Sequence, residues 1–233
     1  MSTRSDEFVS QEGNESLIDD DNFHDPETGN WWEHETIWFW WFNPERKLGC
    51  WIYHYIRPNI GVAGGGVLLF DDTAWFHMET PYYLNYSTTQ LPAERDLRDF
   101  TFPGGSRIQM LEPLKRYRLS FADRDTIRYD LDWQAIMPPW VRVAAPLDMS
   151  RPGEGSGERK PRHLDQFGHV TGQLVLHGEE IPIDCLAMRD RSWWHLRPEP
   201  WKSGGGRSNY ITAAASPETA FFGCGPGGFL VLD

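Results

Sequence analysis

The sequence predicts an all-β protein built as an antiparallel sandwich or barrel, with a closed barrel of aromatic interior as the preferred form. Two observations carry this expectation: many short runs rich in β-branched and aromatic residues, and turn-forming Asn, Asp, Gly and Pro between them. A third is the scarcity of helical periodicity. The 233 residues are enough for a hydrophobic core that needs no staples.

Met1 to Asn30 is rich in Asp, Glu, Asn and Ser, includes the run Asp19-Asp20-Asp21, and reads as an acidic flexible lead-in in which Phe8 and Phe23 could still dock. At Trp31 the composition changes, and Trp31 to Phe42 is too aromatic and β-branched for a helix. Alternation along this first strand puts Glu33, Glu35, Ile37, Phe39 and Trp41 on one face. Trp32, His34, Thr36, Trp38, Trp40 and Phe42 take the other. Asn43 to Gly49 supplies a turn, and Cys50 to Arg57 returns as a strand that separates Trp51, Tyr53 and Tyr55 from Cys50, Ile52, His54 and Ile56. Pro58 to Gly61 turns the chain again, Val62 to Phe70 runs out, Asp71-Asp72 turns it and Thr73 to Glu79 runs back, completing a four-stranded meander. Gly64-Gly65-Gly66 lies inside a strand pattern, so these are bulge or close-approach positions and not a phosphate cradle.

Pro81 to Phe100 is less periodic and reads as a loop or a short helix around Ala93 to Leu97. Strand patterns resume at Arg107 to Glu112, Lys115 to Phe121 and Thr126 to Ala135. Pro138 to Arg162 is a Pro-, Gly- and charge-rich connection, with Ser150 to Gly157 its most mobile part. Val170 to Leu176 and Ile181 to Met188 then form a hairpin that delivers Asp190 at its exit. Gly204-Gly205-Gly206 reads as a flexible turn, Asn209 to Ala215 and Thr219 to Cys224 as two more strands, and Phe229 to Leu232 as an apolar run with no following partner.

The net charge of -12 argues against a phosphate-binding surface, because nucleic-acid binders neutralise phosphates with clustered Lys and Arg. The densest basic runs, Lys115-Arg116-Tyr117-Arg118 and Arg159-Lys160-Pro161-Arg162, read as solvated turn or strand-edge charge. Cys50, Cys185 and Cys224 are odd in number and lack paired spacing, so reduced thiols are expected. With no apolar leader and no run long enough to span a membrane, the chain is expected to be soluble and cytoplasmic. Twelve tryptophans exceed what a core of this size requires, which points to aromatic lining of a site for a hydrophobic small molecule.

Arg189-Asp190-Arg191-Ser192-Trp193-Trp194 is the segment most able to control a proton. A carboxyl between cations ionises, whereas one pressed against indole in a dry cavity stays protonated. Asp190 is therefore either a structural ion-pair partner or a general acid. Trp38, Trp40, Tyr53 and Tyr55 are candidate ligand walls, with an aromatic core as the alternative. His163, Asp165, Gln166 and His169 form the densest polar group, able to place an imidazole or amide at a cavity mouth or to cap a strand entrance. Glu33 with Glu35, and Asp130 with Asp132, are same-face carboxylate pairs that read as solvated strand positions. The histidines show no strong ligand spacing and no serine lies in Gly-x-Ser-x-Gly, so neither a metal, a cofactor nor serine-hydrolase chemistry is expected.

Five motifs in order carry a resemblance: Asn43-Pro44-Glu45-Arg46-Lys47-Leu48-Gly49, Arg57-Pro58-Asn59-Ile60-Gly61, Leu111-Glu112-Pro113-Leu114-Lys115-Arg116-Tyr117, His169-Val170-Thr171-Gly172 and Arg189-Asp190-Arg191-Ser192-Trp193. Over most of Trp31 to Phe222 the chain resembles an uncharacterised bacterial family related to hydroxyneurosporene synthase, the carotenoid hydratase. The resemblance implies a lipocalin-like β domain over 31–192 and the start of a second, truncated β domain over 193–233, after the lead-in of 1–30. It also implies an isoprenoid, polyketide or steroid-like ligand. The implied activity is that of a hydratase (hydro-lyase) or an isomerase or cyclase, with a non-catalytic binding module as the alternative. By the same resemblance Asp190 is the proton donor, with Trp193 and Trp194 as cation-stabilising rings. The family pattern is closer to Arg-Asp-His-Ser-Trp-Gly, so Arg191 and Trp194 are departures. A sheet edge left unpaired by the early end would favour a homo-oligomer.

Overall fold

The computed structural model describes residues 18–143, 162–196, 210–216, 219–224 and 230–232. Two units are present, residues 1–196 and 197–233. The first contains β1 (Glu33–Asn43), β2 (Leu48–Arg57), β3 (Val62–Phe70), β4 (Tyr82–Gln90), β5 (Asp99–Thr101), β6 (Arg107–Glu112) and β7 (Arg116–Asp123). It continues with β8 (Ile127–Ala135), β9 (Trp140–Val143), β10 (Arg162–Leu176) and β11 (Glu179–Leu196). The second contains β12 (Tyr210–Ser216), β13 (Thr219–Cys224) and β14 (Leu230–Leu232), a sheet of order β12-β13-β14.

The protein is all-β and antiparallel, and the first sheet curls into a half-barrel. Its order is β4-β3-β2-β1-β11-β10-β8-β7-β6-β5, with β9 on β10 beside β8. Two meanders, β1 to β4 and β5 to β8, are thus joined by the long hairpin β10–β11, which lies on β1 by one strand and on β8 by the other. The preferred closed barrel is replaced by an open path that ends at β4 and β5. Tyr82 of β4 donates its hydroxyl to Asp123 of β7 at 3.0 Å, a side-chain contact between the two meanders.

The inner face follows the alternation of the strands. Ile37, Phe39 and Trp41 of β1 and Cys50, Ile52 and Ile56 of β2 are buried together with Tyr117, Leu131, Trp133, Val170 and Ile183. Each such apolar side chain contributes roughly 1.5–3 kcal/mol by leaving water.

Several local expectations change. Thr73 to Glu79 is not a strand: Asp71 accepts from Thr73 and Ala74, Glu79 accepts from the Trp75 and Phe76 amides, and His77–Glu79 forms a short 3-10 turn. The returning strand is β4, inside the stretch expected as loop or short helix, and β5 follows it. Both hairpin strands run well past their expected ends, and Asp190 lies within β11, not at its exit. The expectations for Phe8, for Ser150 to Gly157, for Gly204 to Gly206 and for Cys224 as a thiol lie outside the described residues or side chains.

Residues 18–30 pack against the first sheet, and Phe23 docks as the sequence allowed. Asp21 is fully buried, Phe23 packs edge-on against Phe100 at 5.1 Å, and the Asn22 side chain accepts from the Leu97 amide at 2.8 Å. Glu33 and Glu35 are buried as well, so their reading as solvated strand positions is corrected. Asp130 and Asp132 do face solvent, each paired across the sheet with Arg118 and Arg116.

Candidate functional site

The hairpin β10–β11 decides where the charged residues go. Successive strand residues face opposite ways, so Arg189, Arg191 and Trp193 point to the inner face while Asp190 and Ser192 point to the outer one. The two arginines that flank Asp190 in sequence therefore find other partners. Arg189 donates to Asp21 at 2.8 Å and to the Gln166 side-chain oxygen at 2.8 Å, and lies 4.5 Å over the Tyr117 ring. Asp21 also accepts from the Tyr117 hydroxyl and from the Leu114 amide. Burial disfavours charge on Arg189, but Asp21 and Tyr117 outweigh it and raise its pKa. Burial, with Asp21 beside it, pushes the Tyr117 hydroxyl far above its usual range despite the Arg189 charge.

Arg191 pairs with Glu35 and donates to the Asn22 carbonyl at 2.9 Å and the Asp20 carbonyl at 3.2 Å. His24 stands between Glu35 at 3.1 Å and Asp20 at 3.4 Å, its ring stacked 5.0 Å above Trp193. Burial opposes the His24 charge, yet the hydrogen bonds its ring donates to Asp20 and Glu35 prevail and raise its pKa. Trp194 sits where the β1–β11 register slips, with φ +59, and its ring meets His24 edge-on at 5.1 Å.

On the outer face the register lays side chains in rows across the strands. One row runs Tyr53, Trp38, Asp190, Asp165 over β2, β1, β11 and β10. The row beside it runs Tyr55, Thr36, Ser192, His163, and the row on the other side runs Trp51, Trp40, Met188, Phe167. Trp38 is 4.1 Å from Trp40 and 4.6 Å from Trp51 by ring centroids, and Tyr53 and Tyr55 continue the array at 6.4 Å. Gly64 permits this packing, because a Cβ there would come within 2.2 Å of the Tyr55 ring. A hollow of about 220 Å³ opens over Gly65 and Gly66, bordered by Trp51, Tyr53, Tyr83 and Asn85.

At the far end of these rows His163 Nε2 is 3.0 Å from Asp165 Oδ2 and 3.3 Å from Asp190 Oδ2, while its Nδ1 meets Ser192 Oγ at 2.8 Å. All three titratable residues are buried. The arrangement can share a proton among an imidazole and two carboxylates, and the same three groups could hold a metal ion.

The structure thus brings Asp190, His163, Trp38, Trp40, Tyr53 and Tyr55 onto one face. It does not bring Gln166 or Trp193 there: Gln166 donates to the Leu114 and Met137 carbonyls, and Trp193 is enclosed with Leu114 and Leu164. Gln166 borders a separate hollow of about 440 Å³ lined by Pro113, Ile136 and Met137. Sequence reasoning grouped Asp165 with His163, Gln166 and His169 without giving its carboxyl a role, and it passed over Asp21 and Glu35 as partners of the arginines and His24 as the partner of Glu35. The parity of β10 against β11 was the available signal for Asp165, since odd residues of the first share a face with even residues of the second.

Fold and site together define an antiparallel all-β protein with an aromatic outer face that ends in a buried imidazole–carboxylate cluster. Residues 18–224 match the family described as a domain of unknown function, DUF7064, and the chain belongs to that family. A crystal structure described as that of an ATTH candidate from Nitrosomonas europaea is similar at 17% identity and a TM-score of 0.43, covering 85% of this chain. The chain spans 60% of the length of that one. No curated protein matches. Among the described residues no helix is long and apolar enough to cross a membrane, which says nothing of strands.

Proposed function

We propose that the protein binds a hydrophobic isoprenoid, polyketide or steroid-like molecule on the aromatic outer face and uses the Asp190 end of that face for acid-assisted hydration or isomerisation. The observation that carries this reading is the cross-strand pairing of Trp38 with Asp190, which sets a carboxyl one strand from a five-ring array. Apolar rings supply area for a ligand, and their faces stabilise positive charge. In the hydration step the carboxyl gives its proton to an alkene carbon, the adjacent carbon becomes a cation, and water captures it with loss of a proton. His163 and Asp165 are placed to return the proton to Asp190. The motif resemblance to a family related to hydroxyneurosporene synthase is in keeping with the same chemistry.

The test joins binding to turnover. A conjugated polyene or a steroid titrated into the protein should quench tryptophan fluorescence, and mass spectrometry of molecules that copurify should name the natural class. Asp190→Asn should keep the quenching and lose product formation. Quenching with no chemical change in either protein would leave a binding module; absence of quenching by every such probe would refute the ligand site.

A further inference from the structure

We infer that His163, Asp165 and Asp190 form a binding site for a divalent first-row transition-metal ion of the Mn²⁺ to Zn²⁺ range. The inference rests on the cluster alone and holds whether or not the aromatic face takes a ligand.

Three features of the cluster carry it. The ligating atoms come from neighbouring strands in fixed register, Asp165 directly opposite Asp190 and His163 opposite Ser192, and all lie within 4.8 Å of one another. Two donors on one tetrahedral ion, with bonds of about 2.1 Å, stand about 3.4 Å apart. The separations of 3.0 and 3.3 Å from His163 Nε2 to the two carboxylates are close to that spacing.

The second feature is the state of Asp165. It is 1% exposed, yet among the described residues neither of its oxygens accepts a hydrogen bond; the approach to His163 is close but not aligned as one. A buried carboxylate without donors is costly unless a cation faces it. The nearest guanidinium groups in sequence, Arg189 and Arg191, point to the opposite face and are engaged by Asp21 and Glu35. A divalent ion balances the two carboxylate charges with a neutral imidazole.

The third is the orientation of the imidazole. Ser192 Oγ meets Nδ1 at 2.8 Å and so turns Nε2 toward the carboxylates, as an outer-shell partner does for a metal-bound histidine. One nitrogen and two carboxylate donors favour a transition metal over Mg²⁺ or Ca²⁺, which prefer oxygen alone. Three protein ligands leave a position for water; with the ion bound Asp190 is an ionised ligand, and that water, in place of the Asp190 carboxyl, would supply the proton at this end of the aromatic face.

The experiment uses the full chain stripped with chelator, with no organic ligand present. Zn²⁺ titrated by calorimetry should bind one ion per chain and raise the melting temperature. Co²⁺ should give the intense visible absorption of a low-coordinate site. Ser192→Ala should weaken Zn²⁺ roughly tenfold to a hundredfold, and Asp165→Asn, nearly isosteric, should weaken it further and abolish the Co²⁺ band. Failure of the folded wild type to bind Zn²⁺ would overturn the inference. So would unchanged binding in Asp165→Asn, which would place the ion on surface histidines such as His169. Neither result touches the polyene titration, so the two readings fail separately.

Discussion

Single buried residues of the first unit set opposite demands on pH and stability. Arg189 and Asp21 are both fully buried, so Arg189→Met leaves an uncompensated charge and should destabilise by roughly 3–5 kcal/mol in urea denaturation. Adding Asp21→Asn should recover part of that loss. His54 lies buried against Phe102 at 3.9 Å, and burial holds its pKa down at about 3. The unfolded chain binds this proton near pH 6.5 and the folded chain only near 3, so stability should fall as pH drops through that window. His54→Gln should flatten the slope. His24 has the other sign: its raised pKa makes its contribution complete below pH 6.5 and lost as pH rises through the folded value. A histidine NMR titration should show His24 titrating above, and His54 far below, the ordinary range.

Among elements, legibility in the sequence followed how cleanly one face was apolar. β1 and β2 alternate from Ile37 to Trp41 and from Cys50 to Ile56, and the structure buries one of the two faces that the alternation separates. The opening of β10 was hidden because Arg162, His163, Asp165 and Gln166 are polar and yet buried or half-buried there, so the residues that make the site erased the pattern that finds strands. β4 was missed for the converse reason. Trp75, Phe76 and Met78 imitate a strand but stand in solvent, held by turn carboxylates that periodicity does not weigh. The glycines of β3 were legible as close-approach positions. Gly65 has φ +110, and a Cβ there would meet the Tyr53 carbonyl at 2.0 Å. Gly65→Ala should therefore destabilise by roughly 1–3 kcal/mol in thermal melts and disturb the near-ultraviolet dichroism of the Trp38–Trp51 array.

At the scale of the whole chain, two locally paired meanders wait on one hairpin. β1 pairs β11 across most of the first unit's sequence, so closure of the sheet is a non-local event. Refolding followed by tryptophan fluorescence should be slow, in the millisecond to second range, with Arg189 and Arg191 variants altering its final phase. In the second unit β12 and β14 each have one partner among the described residues. If such an edge accepts a second copy, sedimentation should show concentration-dependent dimer, and a single monomeric species at every concentration would remove that proposal.

The acidic segment that seals Arg189 and Arg191 also has a place in time. Asp21 and Arg189 are 168 residues apart, so the ribosome delivers the carboxylate long before the guanidinium it will meet exists. Throughout synthesis Asp20 to His24 must stay solvated, which their charge allows, and the segment can settle only after β11 has emerged and paired. A segment made before β11 is thus among the last to be fitted, and a proteolytic site or fused partner at Asn22 would be tolerated by the nascent chain but not by the finished one.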